Sequence, residues 1–523
     1  MTARTDLLRP NAAFAALPSS AEMRAFEDRV IGSGVSAREL MERAGAAIAA
    51  RALTMPELSA ASSGSKRVVI VCGSGNNGGD GVVVGRLLAA KGVGVVIAFC
   101  SERQLSSQTS EQLELSIRTQ KSKAGKDNSP RIVAVEDAVD AGVDRIGIKE
   151  LAETISHSAL VIDAMLGAGQ RSAPTGLVAK ILATLKDGST PILAVDLPTG
   201  VNPDSGEVYP NAVSATVTVA IEGVKRGLVQ HPAREQCGEL VVESIGVSVA
   251  DSQFSLLTRE ALKKPARRPI DSHKGLFGPV LALAGSRSMP GAACLVGLAA
   301  LRAGAGVVHT TSQAATAFAP ELIEANFGTF DLADFNGIVV GPGIGTDDAM
   351  AKLVEHVLGQ RRRTPIIVDA DALTIIAANK SYELLSDTII TPHPGEAARL
   401  LGCSTADVQR DRYSAAIELG SRTKATVVLK GASTIVFSGS SVMGRGVVNP
   451  TGTPWMSTAG SGDVLAGIIS ALTMQGLERF DAAVAGVALH AACGELASGL
   501  GHPIIASDLI SKIPEAWDEV FVK

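Results

Sequence analysis

Short, unbroken runs of Val, Ile and Leu, each closing on Gly or Asp, restrict this chain more than any other feature. A strand with one wet face alternates apolar and polar residues, whereas a run without alternation is buried on both faces, as in a parallel sheet covered by helices. The first half carries such runs at Arg67–Cys72, Val93–Cys100, Ala159–Asp163, Pro191–Asp196, Ala215–Ile221 and Glu239–Ile245. Helical stretches such as Val82–Lys91 and Leu177–Leu185 lie between them, which predicts βαβ units and a doubly wound sheet. The alternation restarts at Gly278–Ala284, Gly306–Thr310, Gly337–Gly341, Pro365–Asp369, Thr388–Pro392, Ala425–Lys430 and Ser433–Phe437, followed by long helical stretches at Val464–Met474 and Ala482–Ala497. Between the halves the pattern breaks at LTREALKKPARRPIDSHKG, whose basic cluster and prolines read as a solvated linker. The expectation is α/β architecture in two different domains, residues 1–247 and 268–523, joined by a linker at 248–267, with no internal repeat.

Composition narrows the function classes. At 523 residues there is ample core for two domains, and 46% hydrophobic with 19% charged residues excludes a largely disordered chain. A net charge of −5 with 2 Trp, 3 Tyr and 12 Phe argues against a nucleic-acid binder, which needs basic faces and stacking platforms. The 54 glycines, without a three-residue period, exclude collagen and demand many tight backbone turns. Cys72, Cys100, Cys237, Cys294, Cys403 and Cys493 form no C-x-x-C pair, which suits a reducing cytoplasm. The N-terminal stretch MTARTDLLRPNAAFAALPSS lacks a secretory h-region, and no run of about 18 apolar residues occurs, so neither a leader nor a membrane span is expected. Residues 101–130, polar and rich in Ser, Gln and Lys, read as an exposed excursion with one frayed helix.

The glycines concentrate at strand ends. After Val68–Val71 comes Cys72-Gly73-Ser74-Gly75-Asn76-Asn77-Gly78-Gly79-Asp80-Gly81, a strand-to-helix turn that would let backbone N–H groups approach a phosphate. Gly73, Gly75 and Gly78 match G-x-G-x-x-G, with Glu102 placed as a ribose partner, so a plain dinucleotide-dependent dehydrogenase and a purely structural turn both stay open. Two further strands stop at Asp163, before Ala164-Met165-Leu166-Gly167-Ala168-Gly169, and at Asp196, before Leu197-Pro198-Thr199-Gly200. Loops at the carboxyl ends of an open α/β sheet line one crevice, where Asn77, Asp80, Asp163, Asp196 and Thr199 can converge. The plain alternative for any one such Asp is a helix N-cap. Several carboxylates in one crevice would repel a bare pyrophosphate, unless a cation or a group needing acid–base chemistry is also present.

The second half has three glycine-rich stations: Gly285 to Ala292, Gly341-Pro342-Gly343-Ile344-Gly345, and Ala459-Gly460-Ser461-Gly462-Asp463 opening a helix. An anion hole at a helix N-terminus with one Asp inside suits phosphoryl transfer, the N–H groups stabilising charge while Asp463 takes the acceptor's proton; the alternative is a first-turn Asp. No G-x-x-x-x-G-K-[ST] occurs, which excludes a P-loop enzyme. His393 and Glu396, one turn apart in Thr391-Pro392-His393-Pro394-Gly395-Glu396, could ligate a metal, but no further ligands accompany them; a polar loop against substrate is the stronger reading. Lys430-Gly431-Ala432-Ser433-Thr434 offers a Lys and free amides to nucleotide phosphates. His490 reads as a packed or capping histidine.

These residues carry a resemblance. The run Gly75-Asn76-Asn77-Gly78-Gly79-Asp80-Gly81, the Asp163 and Asp196 segments, and the stretches Met23–Glu27 and Leu40–Gly45 resemble the NAD(P)H-hydrate epimerase family over roughly residues 18–247. The resemblance implies a Rossmann-like three-layer fold and a potassium ion held by Asn77, Asp163 and Thr199, where the family more often has Ser. It implies substrate contacts at Asn76, Asn77, Gly78, Gly79 and Asp80, at Gly167, Ala168, Gly169, Gln170, Arg171, Ser172 and Ala173, and at Asp196. The hydrated ring bears its hydroxyl on the carbon beside the ring nitrogen, so one acid/base group near that hydroxyl suffices for epimerisation, and Asp163 is the candidate. Residues 268–520 resemble the ribokinase-like NAD(P)H-hydrate dehydratase family through the stations above, His273–Gly278, Asp369–Leu373 and Ala506–Ile510. That resemblance implies adenine-nucleotide contacts at Lys430, Gly431, Ala432, Ser433 and Thr434 and at Gly460, Ser461 and Gly462. It places Gly345, His393, Pro394, Gly395, Glu396, Ala397, Ala398, Arg399 and Asp463 against the hydrated cofactor, with AGSGD standing where GTGD is commoner.

The implied function is repair of NADHX and NADPHX, the hydrated cofactors: epimerisation, then phosphorylation of the S hydroxyl by ADP or ATP and loss of phosphate. The fused form resembles the prokaryotic arrangement and points to ADP, with Mg2+ beside the nucleotide and a cytoplasmic homo-oligomer expected. Two other readings stand beside it. A small-alcohol kinase would explain Asp463 but not the NNGGDG region. A non-catalytic nucleotide or RNA scaffold would predict decayed site residues, yet Asn77, Asp80, Asp163 and Asp196 are all in place.

Overall fold

The computed structural model describes residues 15–59, 67–122, 129–138, 142–186, 188–326, 331–360, 364–439, 444–499 and 501–522. The start of the N-terminal stretch (residues 1–14) and part of the polar excursion (123–128) lie outside the described residues. The chain divides into two compact units, one ending at Ser252 and the other beginning at Gln253.

The N-terminal unit is built on strands β1 (Arg67–Cys72), β2 (Gly94–Phe99), β3 (Arg131–Val135), β4 (Asp144–Ile146), β5 (Leu160–Ala164), β6 (Ile192–Val195), β7 (Val217–Ile221) and β8 (Glu239–Glu243). Their order is β4-β3-β2-β1-β5-β6-β7-β8, and every pair is parallel. Both faces of β1 are buried, as its unbroken apolar run requires. Val68, Ile70 and Cys72 pack under the helices Ser20–Gly32, Ala37–Thr54 and Asn76–Ala90, while Val69 and Val71 pack on the side of Ile148–Ser156 and Gly176–Lys186. The strand order reverses between β1 and β5, the point at which α/β sheets open a crevice. Strands β3 and β4 have no counterpart among the expected runs, being short or preceded by an exposed Arg. Within the polar excursion, Ser107–Ser122 is a helix.

The C-terminal unit uses β9 (Phe254–Leu256), β10 (Pro279–Leu283), β11 (Val307–Thr310), β12 (Ile323–Glu324), β13 (Gly337–Val340), β14 (Ile366–Val368), β15 (Ile389–Ile390), β16 (Thr426–Leu429), β17 (Thr434–Ser438) and β18 (Gly446–Asn449). They follow the order β9-β18-β17-β16-β15-β14-β13-β10-β11-β12, parallel except for the antiparallel pairs β16–β17 and β17–β18. Helices Pro290–Arg302, Ser461–Met474, Arg479–Ser498 and Ala506–Trp517 cover one face around Val280, Ala282, Val339, Ile367 and Val428. Arg479–Ser498 is long and apolar enough to cross a bilayer by length and composition, yet its apolar window is mostly buried inside this unit, as a core helix is.

The stretch 248–267, read from its charges as a linker, is built into both units. Val249 is buried in the N-terminal core, and the carboxylate of Glu222 ties the chain just before it by accepting the backbone N–H groups of Ile245, Gly246 and Val247. Phe254–Leu256 pairs with Gly446–Val448, and Leu257 and Leu262 are buried in the C-terminal core. Its apolar residues outweigh the basic cluster that suggested a solvated segment.

Candidate active sites

In the N-terminal unit the turn after β1 passes directly into a helix. Helix Asn76–Ala90 begins inside the NNGGDG run, with Gly75 as its N-cap. A Cβ on Gly78 would lie 2.1 Å from the Gly73 carbonyl oxygen, and one on Gly81 2.7 Å from both Cys72 Sγ and Ala164 Cβ. These glycines let the helix settle on the strand ends. Gly75 faces open space, so its neighbourhood is the one that offers free N–H groups to a ligand.

A cavity of about 690 Å³ opens at the β1/β5 switch point. Its wall includes Asn76, Asn77 and Asp80 from that helix, Gly167 to Ala173 from the loop after β5, and Asp196 at the end of β6. Gly78, Gly79, Asp163 and Thr199 are buried and form no part of the wall. Asp163 therefore does not meet the expectation of a group facing the hydroxyl. Its Oδ1 accepts from the Thr199 hydroxyl (2.7 Å) and the Met165 N–H (3.2 Å), and its Oδ2 from the Thr199 N–H (2.8 Å). Burial pushes its carboxyl up to about 6 against those three hydrogen bonds. Glu102 lines the same cavity, and its Oε1 accepts the Leu177 N–H (3.0 Å) at the start of helix Gly176–Lys186.

The oxygen donors proposed for potassium fit a monovalent cation in kind. Asp163 is a fully buried carboxylate whose described partners include no cation. Amide, carboxylate and hydroxyl oxygens are hard donors that suit such an ion.

Two residues of this cavity are not among the site residues expected from the sequence. Lys225, 2% exposed, donates to Asp196 Oδ1 and to the Ile221 carbonyl (3.0 Å). Glu27, from helix Ser20–Gly32, faces the same space, and burial holds its carboxyl above the usual range although Lys225 opposes the shift. Asp80 is pushed well above that range by burial, with Asp196 and Glu27 adding to it. A lone Lys just beyond an apolar strand was the available signal for Lys225. Glu27 ends the stretch Met23–Glu27 that shares in the family resemblance, but nothing in that stretch marks it as a site residue.

In the C-terminal unit, Asp463 is the third residue of helix Ser461–Met474, with Gly460 as N-cap at φ +84°. Beside it Lys430, at the end of β16, donates to Asp369 Oδ1 (2.7 Å) and lies 3.9 Å from Glu396 Oε2. Burial, Asp369, Asp371 and Glu396 push the Asp463 carboxyl up to about 7, with Lys430 opposing. Burial disfavours the Lys430 charge, but Asp369, Glu396 and Asp463 hold its ammonium above the ordinary range. Lys430 is thus committed to carboxylates, whereas Gly431 and Ala432 are exposed in the turn before β17; Ser433 is buried and the Thr434 hydroxyl donates to the Gly431 carbonyl (2.8 Å).

His393 caps helix Pro394–Leu401, its Nδ1 accepting the Gly395 N–H (3.0 Å) while Glu396 accepts the His393 N–H (2.8 Å). Ala397 and Ala398 turn into the core, so the helix period takes them away from any ligand that His393 and Arg399 face. Gly345, at φ +89°, donates its N–H to Asp371 (2.9 Å) and has open space beside it. His490 is a structural histidine: its Nε2 bonds the Ser461 carbonyl (2.9 Å), and burial pushes it down to about 4. Among the described residues no three His, Cys, Asp or Glu side chains converge as a metal cage.

Comparisons with known proteins agree with this division. A family model for NAD(P)H-hydrate dehydratase matches residues 280–515, and one for YjeF-related protein N-terminus matches residues 37–227. The bifunctional NAD(P)H-hydrate repair enzyme of Coxiella burnetii is 33% identical, covering 93% of this chain and 96% of its own. Its Escherichia coli counterpart is 33% identical over 93% of this chain and 92% of its own. Among solved structures, the ADP/ATP-dependent NAD(P)H-hydrate dehydratase of Bacillus subtilis, co-crystallised with ATP and Mg2+, is 30% identical; the match covers 51% of this chain and 98% of that one, with a TM-score of 0.45. The chain belongs to the family of bifunctional NAD(P)H-hydrate repair enzymes.

Proposed function

We propose that the N-terminal unit interconverts the R and S hydrates of NADH and NADPH, and that the C-terminal unit restores NAD(P)H from the S hydrate with ADP as phosphoryl donor. The observation that carries the second half is Asp463 within the first turn of its helix, beside Lys430. Asp463 takes the proton of the ring hydroxyl as the oxygen attacks the terminal phosphoryl, and N–H groups at the helix start receive the developing charge. The ring nitrogen then expels phosphate, a far better leaving group than hydroxide. Gly431 and Ala432 present backbone to the nucleotide, while Lys430 acts on the carboxylates around Asp463.

In the N-terminal unit, Asn77, Asp163 and Thr199 would hold potassium, whose charge would neutralise Asp163 and brace the loops after β5 and β6. The asparagines, the loop 167–173 and Asp196 form the wall that receives the hydrated ring. The test gives the full-length protein mixed R and S NADHX with ADP and, separately, ATP, and follows the reduced-nicotinamide absorbance. Complete recovery of both epimers supports the reading, with the faster nucleotide naming the donor. Recovery that stops at the S fraction refutes the epimerase half, and no recovery beside turnover of a small alcohol favours a kinase.

A further inference from the structure

Asp163 is sealed from the cavity, so the proton-handling group of the epimerase half has to be sought on the wall. Lys225 is almost wholly buried, yet it and its partner Asp196 both line the cavity. Asp196 sits at φ +68°, a conformation rare for a non-glycine residue, and is fixed through one oxygen only. Oδ1 accepts from Lys225 and from the Ile221 N–H (3.2 Å), while Oδ2 has no protein partner among the described residues. A buried ion pair is stable when hydrogen bonds satisfy its remaining lone pairs. This one leaves a carboxylate oxygen for something that enters the cavity.

Facing the pair are Glu27 and Arg24 from helix Ser20–Gly32 and Asp80 from helix Asn76–Ala90, with Glu102, Arg103 and Arg171 further round the wall. Glu102 is exposed, with Oε1 accepting the Leu177 N–H, and Arg171 pairs with Asp204 (3.3 Å). Asp80 and Glu27 are therefore the carboxyl groups placed with Asp196 around Lys225, and Asp80 is the one carried by the helix that also brings Asn76 and Asn77 to the wall.

We infer that Lys225 is a positioning residue for epimerisation, anchoring Asp196 as the fixed carboxylate that orients the ring hydroxyl, while Asp80 is the catalytic residue that carries the proton. This rests on the epimerase reading above. Asp80 gives its proton to the hydroxyl on the carbon beside the ring nitrogen. The nitrogen lone pair forms the C=N bond as the C–O bond breaks and water leaves, held by Asp196. Water adds to the other face and returns one proton to the Asp80 carboxylate, so the cycle closes without a co-reactant. The buried, carboxylate-rich setting that holds Asp80 above the usual range favours the protonated form the first step needs.

The experiment measures R/S interconversion of NADHX chromatographically, without nucleotide, in full-length wild type, Asp80→Asn and Lys225→Ala. Asp80→Asn is expected to lower kcat by about 10²–10⁴-fold with KM little changed. Lys225→Ala is expected to lower kcat and to move the alkaline limb of the pH profile, where Asp80 loses its proton, upward, with partial recovery on adding ethylammonium but not tetramethylammonium. Dehydration of the S hydrate stays at wild-type rate in both. An Asp80→Asn protein within threefold of wild-type kcat overturns the inference even where Lys225→Ala fails to fold. A folded Lys225→Ala protein with an unmoved pH profile and a raised KM overturns the positioning role. Wild type without any interconversion would instead remove the epimerase reading itself.

Discussion

The two units meet the same electrostatic problem and solve it differently. Each sets a lysine–aspartate pair at the carboxyl end of its sheet, Lys225 with Asp196 and Lys430 with Asp369. Each surrounds the pair with a glutamate and a further aspartate pushed up by burial, Glu27 and Asp80 in one, Glu396 and Asp463 in the other. The difference is where the further aspartate sits in its helix. Asp463 is the third residue, among the free N–H groups, where the helix dipole favours its charge. Asp80 is the fifth, two residues deeper, beyond those groups. The first arrangement places a base and an anion hole together, as phosphoryl transfer requires. The second keeps a carboxyl protonated, as expelling a hydroxyl as water requires.

The largest effect expected from this contrast is in Asp463→Asn. Dehydration should fall by about 10²–10⁴-fold, while R/S interconversion continues at wild-type rate. Loss of both activities in a folded protein would break the two-site comparison. Next comes pH. Because Asp463 has to be unprotonated to take the hydroxyl proton and its carboxyl sits at about 7, kcat/KM for dehydration should drop tenfold per pH unit below that point. Lys430→Met removes the cation that opposes the rise, so this limb should move to higher pH. A profile flat from pH 5.5 to 8 in wild type would show that Asp463 is not the base.

How much of this is legible in the sequence depends on what kind of information each residue carries. The strands are, because a buried parallel strand has to be continuously apolar; β1 begins and ends where its run does. The site positions are legible where a motif marks them, as with Asn77, Asp196 and Asp463. Burial is not. Nothing in Val161-Ile162-Asp163-Ala164 distinguishes an aspartate that faces a cavity from one whose two oxygens are consumed by Thr199 and Met165. Lys225 and Glu27 gain their meaning only from loops and helices distant in sequence. The segment 248–267 reads as a linker because charge is visible in a sequence, whereas the strand partner of Phe254 lies near residue 446.

A smaller effect tests the potassium donors, a set proposed for the N-terminal unit alone. Thr199→Val keeps shape but removes the hydroxyl that bonds Asp163, and should slow interconversion by about 10–100-fold. Thr199→Ser retains the oxygen and should stay within about twofold of wild type. Thermal unfolding in potassium against tetramethylammonium gives a further readout: wild type and Thr199→Ser should melt higher in potassium, and Thr199→Val should not. An unchanged Thr199→Val enzyme would remove the cation from the comparison.

The smallest effect separates two roles within one glycine run. A methyl at Gly78 meets the Gly73 carbonyl at 2.1 Å, so Gly78→Ala has to lift the helix from the strand end. That should cost about 1–3 kcal/mol of stability, seen as a lower urea midpoint with KM for the R and S hydrates little altered. A methyl at Gly75 meets nothing within 4 Å, and the backbone there, at φ −84°, accepts any residue. Gly75→Ala should lose only about 0.5–1 kcal/mol through the poorer N-cap, and raise KM instead by crowding the open N–H groups. If the two substitutions behaved alike, the run would be a uniform ligand loop. A split between stability and KM means that most of its glycines bring a helix onto a sheet, and that one leaves room for substrate.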